Sequence, residues 1–567
     1  MFKRTKIAAV TAAVLGLSSM AAQAVTVNEN AADGQVLIFP YYNVNNGFTT
    51  NFNIINTTDA VKAVKIRFRE SHTSNDVLDF NLYMSPRDVF VVGLAKNDEG
   101  GVTLTAPDTS CTHPAIPPEG VAFRDVYDSV DAADMLEGYL EVIEMGEIDP
   151  LATVSLGRNI VQSVTHVDGV PADCSVISDA WQEGIFIQGG AQANSGEINV
   201  VNPKSIGFPA HAVGGNGISD DGYYGRAPVD GMLGALTGPT GGLVGSSVLI
   251  DFERFAGFVA EPISVTHYAT LPQHYLSSDE NFYLLPSLAS GDVYTADFLS
   301  ANPTDPAIHA TWSSVVRDFG LDDINVLPRT SVPSGINPMP MADALAVVAI
   351  GNQYFLDPGV STDWVMATPM RKHAIFNDYK YIAAGVWTGD ALPATDIAVG
   401  MTASTVEGER AGLASANGYW KFMGLGDIKA DFKYWDREEG EDRPEPGDFS
   451  PPIGTPDIFI PLESEVNILS LTSTTGGVSV LGSDNAQSLK LASGFNNGWG
   501  VMNFVGYSLE SLRYTEYWTD APVDAGIVSG VPIAGFMAAI AEIGEHSVGE
   551  TFPHVHMRSR ELATVAE

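Results

Sequence analysis

Val64, Ile66 and Phe68 alternate with Lys65, Arg67 and Arg69, and after a polar stretch Leu78, Phe80, Leu82 and Met84 alternate with Asp79, Asn81, Tyr83 and Ser85. Period two on both arms predicts an antiparallel hairpin with one apolar and one polar face. Setting Phe68 opposite Phe80 and Ile66 opposite Leu82 puts Arg69 across from Asp79 and Lys65 across from Tyr83. A one-residue slip would turn the apolar face to water, so the parity of the pairing is tightly specified. Residues 36–42 and 49–56 read as two further strands, and 139–145, 248–252, 364–367, 466–471, 478–481 and 499–505 as others. Helical patterns are fewer: 121–135, 311–319 and 341–350, the last apolar on most sides. The run 528–543 is broken by Pro532 and Gly535 and reads as a buried helix or strand rather than a membrane span.

Short strands at roughly ten-residue spacing predict a mainly β protein built as sandwiches. The simplest partition is two sandwich lobes, residues 25–300 and 301–567. Within them, a Gly-rich insertion covers about 207–245, with 12 glycines in 39 positions against 56 in 567 overall, and an acidic, Pro-rich loop covers 436–456. A few short helices complete the expectation. The run Asn51-Phe52-Asn53-Ile54-Ile55-Asn56-Thr57-Thr58, the strand 64–69 and Leu82-Tyr83-Met84-Ser85-Pro86 together resemble immunoglobulin-like sandwiches of exported bacterial proteins. The stretch from Asp363 to Lys372, DWVMATPMRK, is similar to a block in uncharacterised secreted proteobacterial proteins. That resemblance covers about a quarter of the chain. It implies a fold and a Gram-negative, exported setting, and brings no catalytic motif with it.

The N-terminal 24 residues carry Lys3, Arg4 and Lys6, an apolar run from Ile7 to Leu17, and Ala22-Gln23-Ala24. A charged start, a short greasy stretch and a small-x-small site read as a signal peptide, so the protein is expected in the periplasm, at the cell surface or outside the cell. In such a compartment disulfides persist, and Cys111 and Cys174, the only cysteines, are expected to pair. Lys+Arg 29 against Asp+Glu 69 gives a net charge of -40. So acidic a chain repels phosphate backbones, which argues against nucleic acid as a partner.

Catalytic signatures are sparse. There is no His-Glu-x-x-His helix and no Gly-x-Ser-x-Gly elbow, and the glycine run 238–245 has no lysine to complete a phosphate loop. Calcium would need six to eight converging oxygens. Asp220, Asp221 and Asp230 are the candidates, with solvated acids as the bland alternative. His554 and His556, two apart on one strand face, could share a transition metal with a third ligand such as His546. A sugar site would set aromatic faces beside carboxylates, as in Tyr514, Glu516 and Trp518. The stripe Lys65, Arg67 and Arg69 reads either as cross-strand pairing or as an attachment surface for an acidic partner.

The reading that follows is an exported, non-enzymatic structural or adhesion-type protein of the cell surface or extracellular space, without a required cofactor, working through protein or glycan contacts and open to self-association. The alternatives are a carbohydrate-binding or carbohydrate-active protein, and a calcium-dependent surface-assembly subunit.

Overall fold

A computed structural model describes residues 26–28, 33–72, 74–124, 132–186, 191–194, 197–200, 232–233, 235–269, 272–277, 286, 288, 340–369, 428–444, 449–450, 460–474, 479–504, 530–543 and 546–558. The protein is mainly β, in two lobes of paired sheets. The first lobe contains β1 (Val36–Asn43), β2 (Phe48–Asn56), β3 (Lys62–Glu70), β4 (Asp76–Met84), β5 (Val89–Lys96), β6 (Val102–Thr105), β7 (Cys111–His113) and β8 (Glu137–Ile148). After helices α1 (Ile160–Val164) and α2 (Ser175–Gln182) come β9 (Leu243–Asp251), β10 (Ala256–Ala260) and β11 (Ile263–Thr266). One sheet runs β11-β1-β8-β3-β4-β7 and the other β10-β9-β2-β5-β6. Side chains from their inner faces interlock: Phe39 meets Phe52 edge-on at 5.2 Å between centroids, Phe52 meets Phe68 at 5.8 Å, and Phe68 meets Phe123 at 5.3 Å. Alternation on each strand supplies this layer, as sandwich packing requires.

The second lobe contains α3 (Pro340–Leu345), β12 (Ala349–Phe355), β13 (Val360–Ala367), β14 (Ile428–Asp436), β15 (Val466–Thr472), β16 (Ala486–Lys490), β17 (Asn497–Asn503), β18 (Ala534–Ile543), β19 (His546–Pro553) and β20 (Val555–Met557). Its sheets run β14-β17-β12-β20 and β16-β15-β13-β18-β19, and β15 with β16 is a parallel pair. Trp364 fills the centre, fully buried, edge-on to Phe432 at 5.4 Å, with its indole N–H donating to the Gln353 carbonyl at 3.2 Å.

A third core joins the lobes. Tyr41, Phe48, Leu249 and Phe258 of the first pack with Val365, Ile468, Leu481 and Phe536 of the second. Backbone hydrogen bonds cross the same seam, from Val466 N–H to the Ser71 carbonyl at 2.8 Å and from Glu465 N–H to that of His72 at 3.1 Å. Asp363, buried between Ser470 and Ser479, accepts from both hydroxyls and from the Leu481 N–H, and so pins the turn that carries Val480 and Leu481 into the seam.

Several expectations are corrected here. The hairpin of β3 and β4 forms, but two residues out of the expected register: Phe68 faces Leu78, Ile66 faces Phe80, Arg67 faces Asp79 and Lys65 faces Asn81. A two-residue shift preserves both faces, so parity cannot select against it. Residues 479–481 form a turn rather than a strand; Val480 and Leu481 are apolar because they plug the interlobe core. Within 121–135 the described part is a strand pair at Val121–Ala122 and a single 3-10 turn at Asp134–Leu136, with Phe123 in the sandwich core. Residues 341–350 split between α3 and the start of β12, where Ala349 and Ile350 are both buried and no alternation shows. Leu243 to Gly245, at the end of the glycine-rich stretch, open β9, and Asp436 with Glu441–Asp442 closes a hairpin at the start of the acidic loop. The candidate helix 311–319 lies outside the described residues.

The disulfide joins Cys111 on β7 to Cys174, just before α2, with 5.3 Å between Cα atoms. It clamps α1 and α2, which the sequence reading did not find, over the edge of the first sheet. There Ile160, Val164, Val176 and Ile177 pack with Tyr83 and Cys111. No helix among the described residues is long and apolar enough to cross a membrane. The chain-entropy argument for a 63-residue separation gives about 4 kcal/mol. The double variant Cys111→Ala/Cys174→Ala should therefore unfold at a lower urea concentration, with a loss of about 2–4 kcal/mol. Reductant should lower the midpoint of the parent and leave that of the variant unchanged.

Candidate functional site

Two places concentrate chemistry. The first is the outer face of the β8-β3-β4 ladder, where the basic stripe lies. Lys65, Arg67 and Arg69 are each 0% exposed, which overturns their reading as an attachment surface. Ser277 and Pro286 help to cover them: Lys65 Nζ donates to the Ser277 hydroxyl at 2.9 Å, and Arg67 donates to the Pro286 carbonyl at 2.9 Å. Charges so placed demand partners, since an isolated buried ion is prohibitively costly. Acids from neighbouring strands provide them. On the outer face Lys65 pairs with Asp79, while Lys62, on the Val64 side at the start of β3, pairs with Glu144 at 2.7 Å and with Glu147 at 2.9 Å. Arg67 pairs with Asp76 at 2.9 Å and Glu141 at 3.4 Å, and Arg69 pairs with Glu141 at 2.7 Å. Burial drives the Lys65 ammonium down to about 8 even though Asp79 opposes the shift, and it raises Asp76, with Asp79 adding to the rise. The lattice is an internal strut.

The second place is a cleft of about 270 Å³ on the seam between lobes. Pro40, Val259 and Pro262 line it from the first lobe, and Phe536, Pro553 and Thr551 from the second. Glu261, His554 and His556 supply further polar groups. The cleft exists because β10 and β19, the end strands of their sheets, meet without pairing: the Thr551 hydroxyl donates to the Val259 carbonyl, and Gly549 lets the Gly257 backbone and Phe258 ring come close.

His554 and His556 do come together at this cleft, as their spacing suggested. Their chemistry differs from a metal pair. His554 is buried; its Nε2 lies 2.9 Å from the Val365 carbonyl and its Nδ1 lies 3.0 Å from the Asn352 amide nitrogen. That network assigns the proton to Nε2 and makes Nδ1 an acceptor from Asn352, so both ring nitrogens are engaged within the fold. Burial, reinforced by His556, lowers His554 to about 3. His546 sits at the opposite end of β19 from His554. No cluster of three or more metal-ligating side chains occurs among the described residues. Asp220, Asp221, Asp230, Tyr514, Glu516 and Trp518 lie outside the described residues.

Sequence reasoning missed the acids that complete the strut, because Glu141 lies 72 positions from Arg69. It also missed His274, fully buried under α2, stacked on Trp181 at 4.5 Å and within 3.1 Å of the Tyr83 hydroxyl, which burial likewise lowers to about 3. The clue available was only the aromatic content of that segment. Comparison with family models, with curated proteins and with solved structures found no match.

Arg69→Met strips Glu141 of its nearer cation and should cost about 3–5 kcal/mol, since the carboxylate then stays buried without its closest counter-charge. Arg87→Ala, which breaks an exposed pair with Asp59, should leave the urea midpoint in place. The pH dependence follows from His274 and His554. Unfolded imidazoles take up protons near pH 6.5, while these hold out to about 3. The unfolded state therefore binds more protons in that window: stability is full above pH 6.5 and falls as the pH drops through it, by about 1.4 kcal/mol per unit per histidine. Denaturant titrations at pH 7 and pH 5 should show this fall, and His274→Phe should make it shallower.

Proposed function

We propose that the chain is an exported, non-enzymatic structural protein of the cell surface or extracellular space, and that it engages a protein partner through the interlobe cleft. The cleft carries this reading: its walls come from both lobes, and its best-placed titratable group, His554, is locked neutral by two hydrogen bonds and so holds shape rather than moving protons. Ligand sites favour such domain junctions. The Cys111–Cys174 bond supports an oxidising compartment, and with it export. The fused lobes support a mechanical role, because load on one sandwich passes through a packed core to the other.

The test uses producer cells that lack the gene. Purified protein added back should bind to their surface, and Val259→Arg/Glu261→Arg, which fills the mouth of the cleft from exposed positions, should lower the bound amount about tenfold or more. Equal binding by parent and variant would remove the cleft from the function. Recovery of the native protein only from the cytoplasmic fraction would remove export.

A further inference from the structure

The sheet β14-β17-β12-β20 of the second lobe has a face opposite to the Phe432–Tyr434–Trp364 core, and two indoles lie on it. Trp435 and Trp499 sit directly across from one another on β14 and β17, stacked at 5.5 Å between centroids with 27° between planes. Trp499 keeps 42% of its surface open although it belongs to a residue type that proteins bury. The local sequence prepares this. Gly351, beside the ring on β12, has no side chain, and a Cβ there would stand 3.1 Å from both the Trp499 ring and the Met557 methyl. Glycine thus leaves room at this point of the sheet for both the Trp499 ring and the Met557 methyl. Strand alternation puts His556 toward the cleft and Met557 on this opposite face, so the two features are separate.

The border of the platform is polar and of both signs. Gln353 is exposed and pairs directly across from Trp499. Lys433, two residues from Trp435, lies 3.7 Å from Glu441, whose backbone pairs with Trp435. A part-open indole edged by an amide, a carboxylate and an ammonium matches one chemistry well: a pyranose ring, which presents an apolar C–H face to an indole and hydroxyls around its rim to donors and acceptors. Anionic ligands fit poorly, because the chain carries a net charge of -40. We propose that Trp435 and Trp499 form a binding platform for a neutral glycan chain, with Gln353, Lys433 and Glu441 hydrogen-bonding its hydroxyls.

The full chain, titrated with cello-, chito- and malto-oligosaccharides and followed by tryptophan fluorescence and calorimetry, should bind at least one series. Trp499→Ala should weaken that binding about tenfold or more, and Trp499→Tyr should restore part of it. Gln353→Ala should weaken it less. Circular dichroism and the melting temperature of each variant check folding. Since Trp499 is half open and Gln353 exposed, both variants should fold, and loss in Gln353→Ala with an unchanged melting temperature supports the platform even if Trp499→Ala is destabilised. Absence of binding to all three series, or equal affinity in parent and Trp499→Ala, would overturn the proposal. So would a shift from dimer to monomer in Trp499→Ala without any sugar binding, which would make the face a contact between copies. The Val259→Arg/Glu261→Arg variant should keep full sugar binding, so a failed cleft and a failed platform are told apart.

Discussion

Pairing of buried charge is the constraint on which the first lobe depends. Lys62, Lys65, Arg67 and Arg69 stand on a strand that is covered on both sides, and each can remain there only because an acid from β4 or β8 reaches it. A wrong neighbour in the sheet would leave ions stranded in a low-dielectric interior. The apolar face of β3 tolerates a two-residue slip against β4; the charged face does not, because the slip would set Asp79 across from Arg69 and leave Lys65 facing Tyr83 without its carboxylate. Charge thus specifies what hydrophobic alternation leaves open.

This explains which parts of the fold could be read from the sequence. The strands were legible wherever one side of the chain is apolar and the other is not, as in β2, where every second residue is buried. Alternation reports that two faces differ and is silent about what lies against the polar one. Alternation therefore leaves the basic stripe open between cross-strand pairing and an attachment surface, and its cover comes from residues about 200 positions away, such as Ser277 and Pro286. Where successive residues are buried on both faces, as at Ala349 and Ile350, no period survives to distinguish strand from helix. The turn at Val480 and Leu481 misled for a related reason: its greasy side chains serve a contact between lobes.

The functional features show the same division. His554 and His556 were found by spacing and do share a cleft, while the hydrogen bonds from Asn352 and to Val365 that commit His554 to the fold depend on residues about 190 and 200 positions away. Trp435 and Trp499, 64 positions apart, became neighbours only through the pairing of β14 with β17. On β20, His556 turns to the cleft and Met557 to the indole face, so a rigid β frame can hold both features without one disturbing the other.

The shared core at the seam has a consequence for how such a molecule is inherited and handled. Were the chain divided between its lobes, Tyr41, Phe48 and Phe258 would form a naked greasy wall on one fragment, and Val365, Ile468 and Phe536 would do so on the other. Each fragment would be sticky where the whole is smooth. The halves are thus bound to travel, mature and vary as one body, and neither is an interchangeable module.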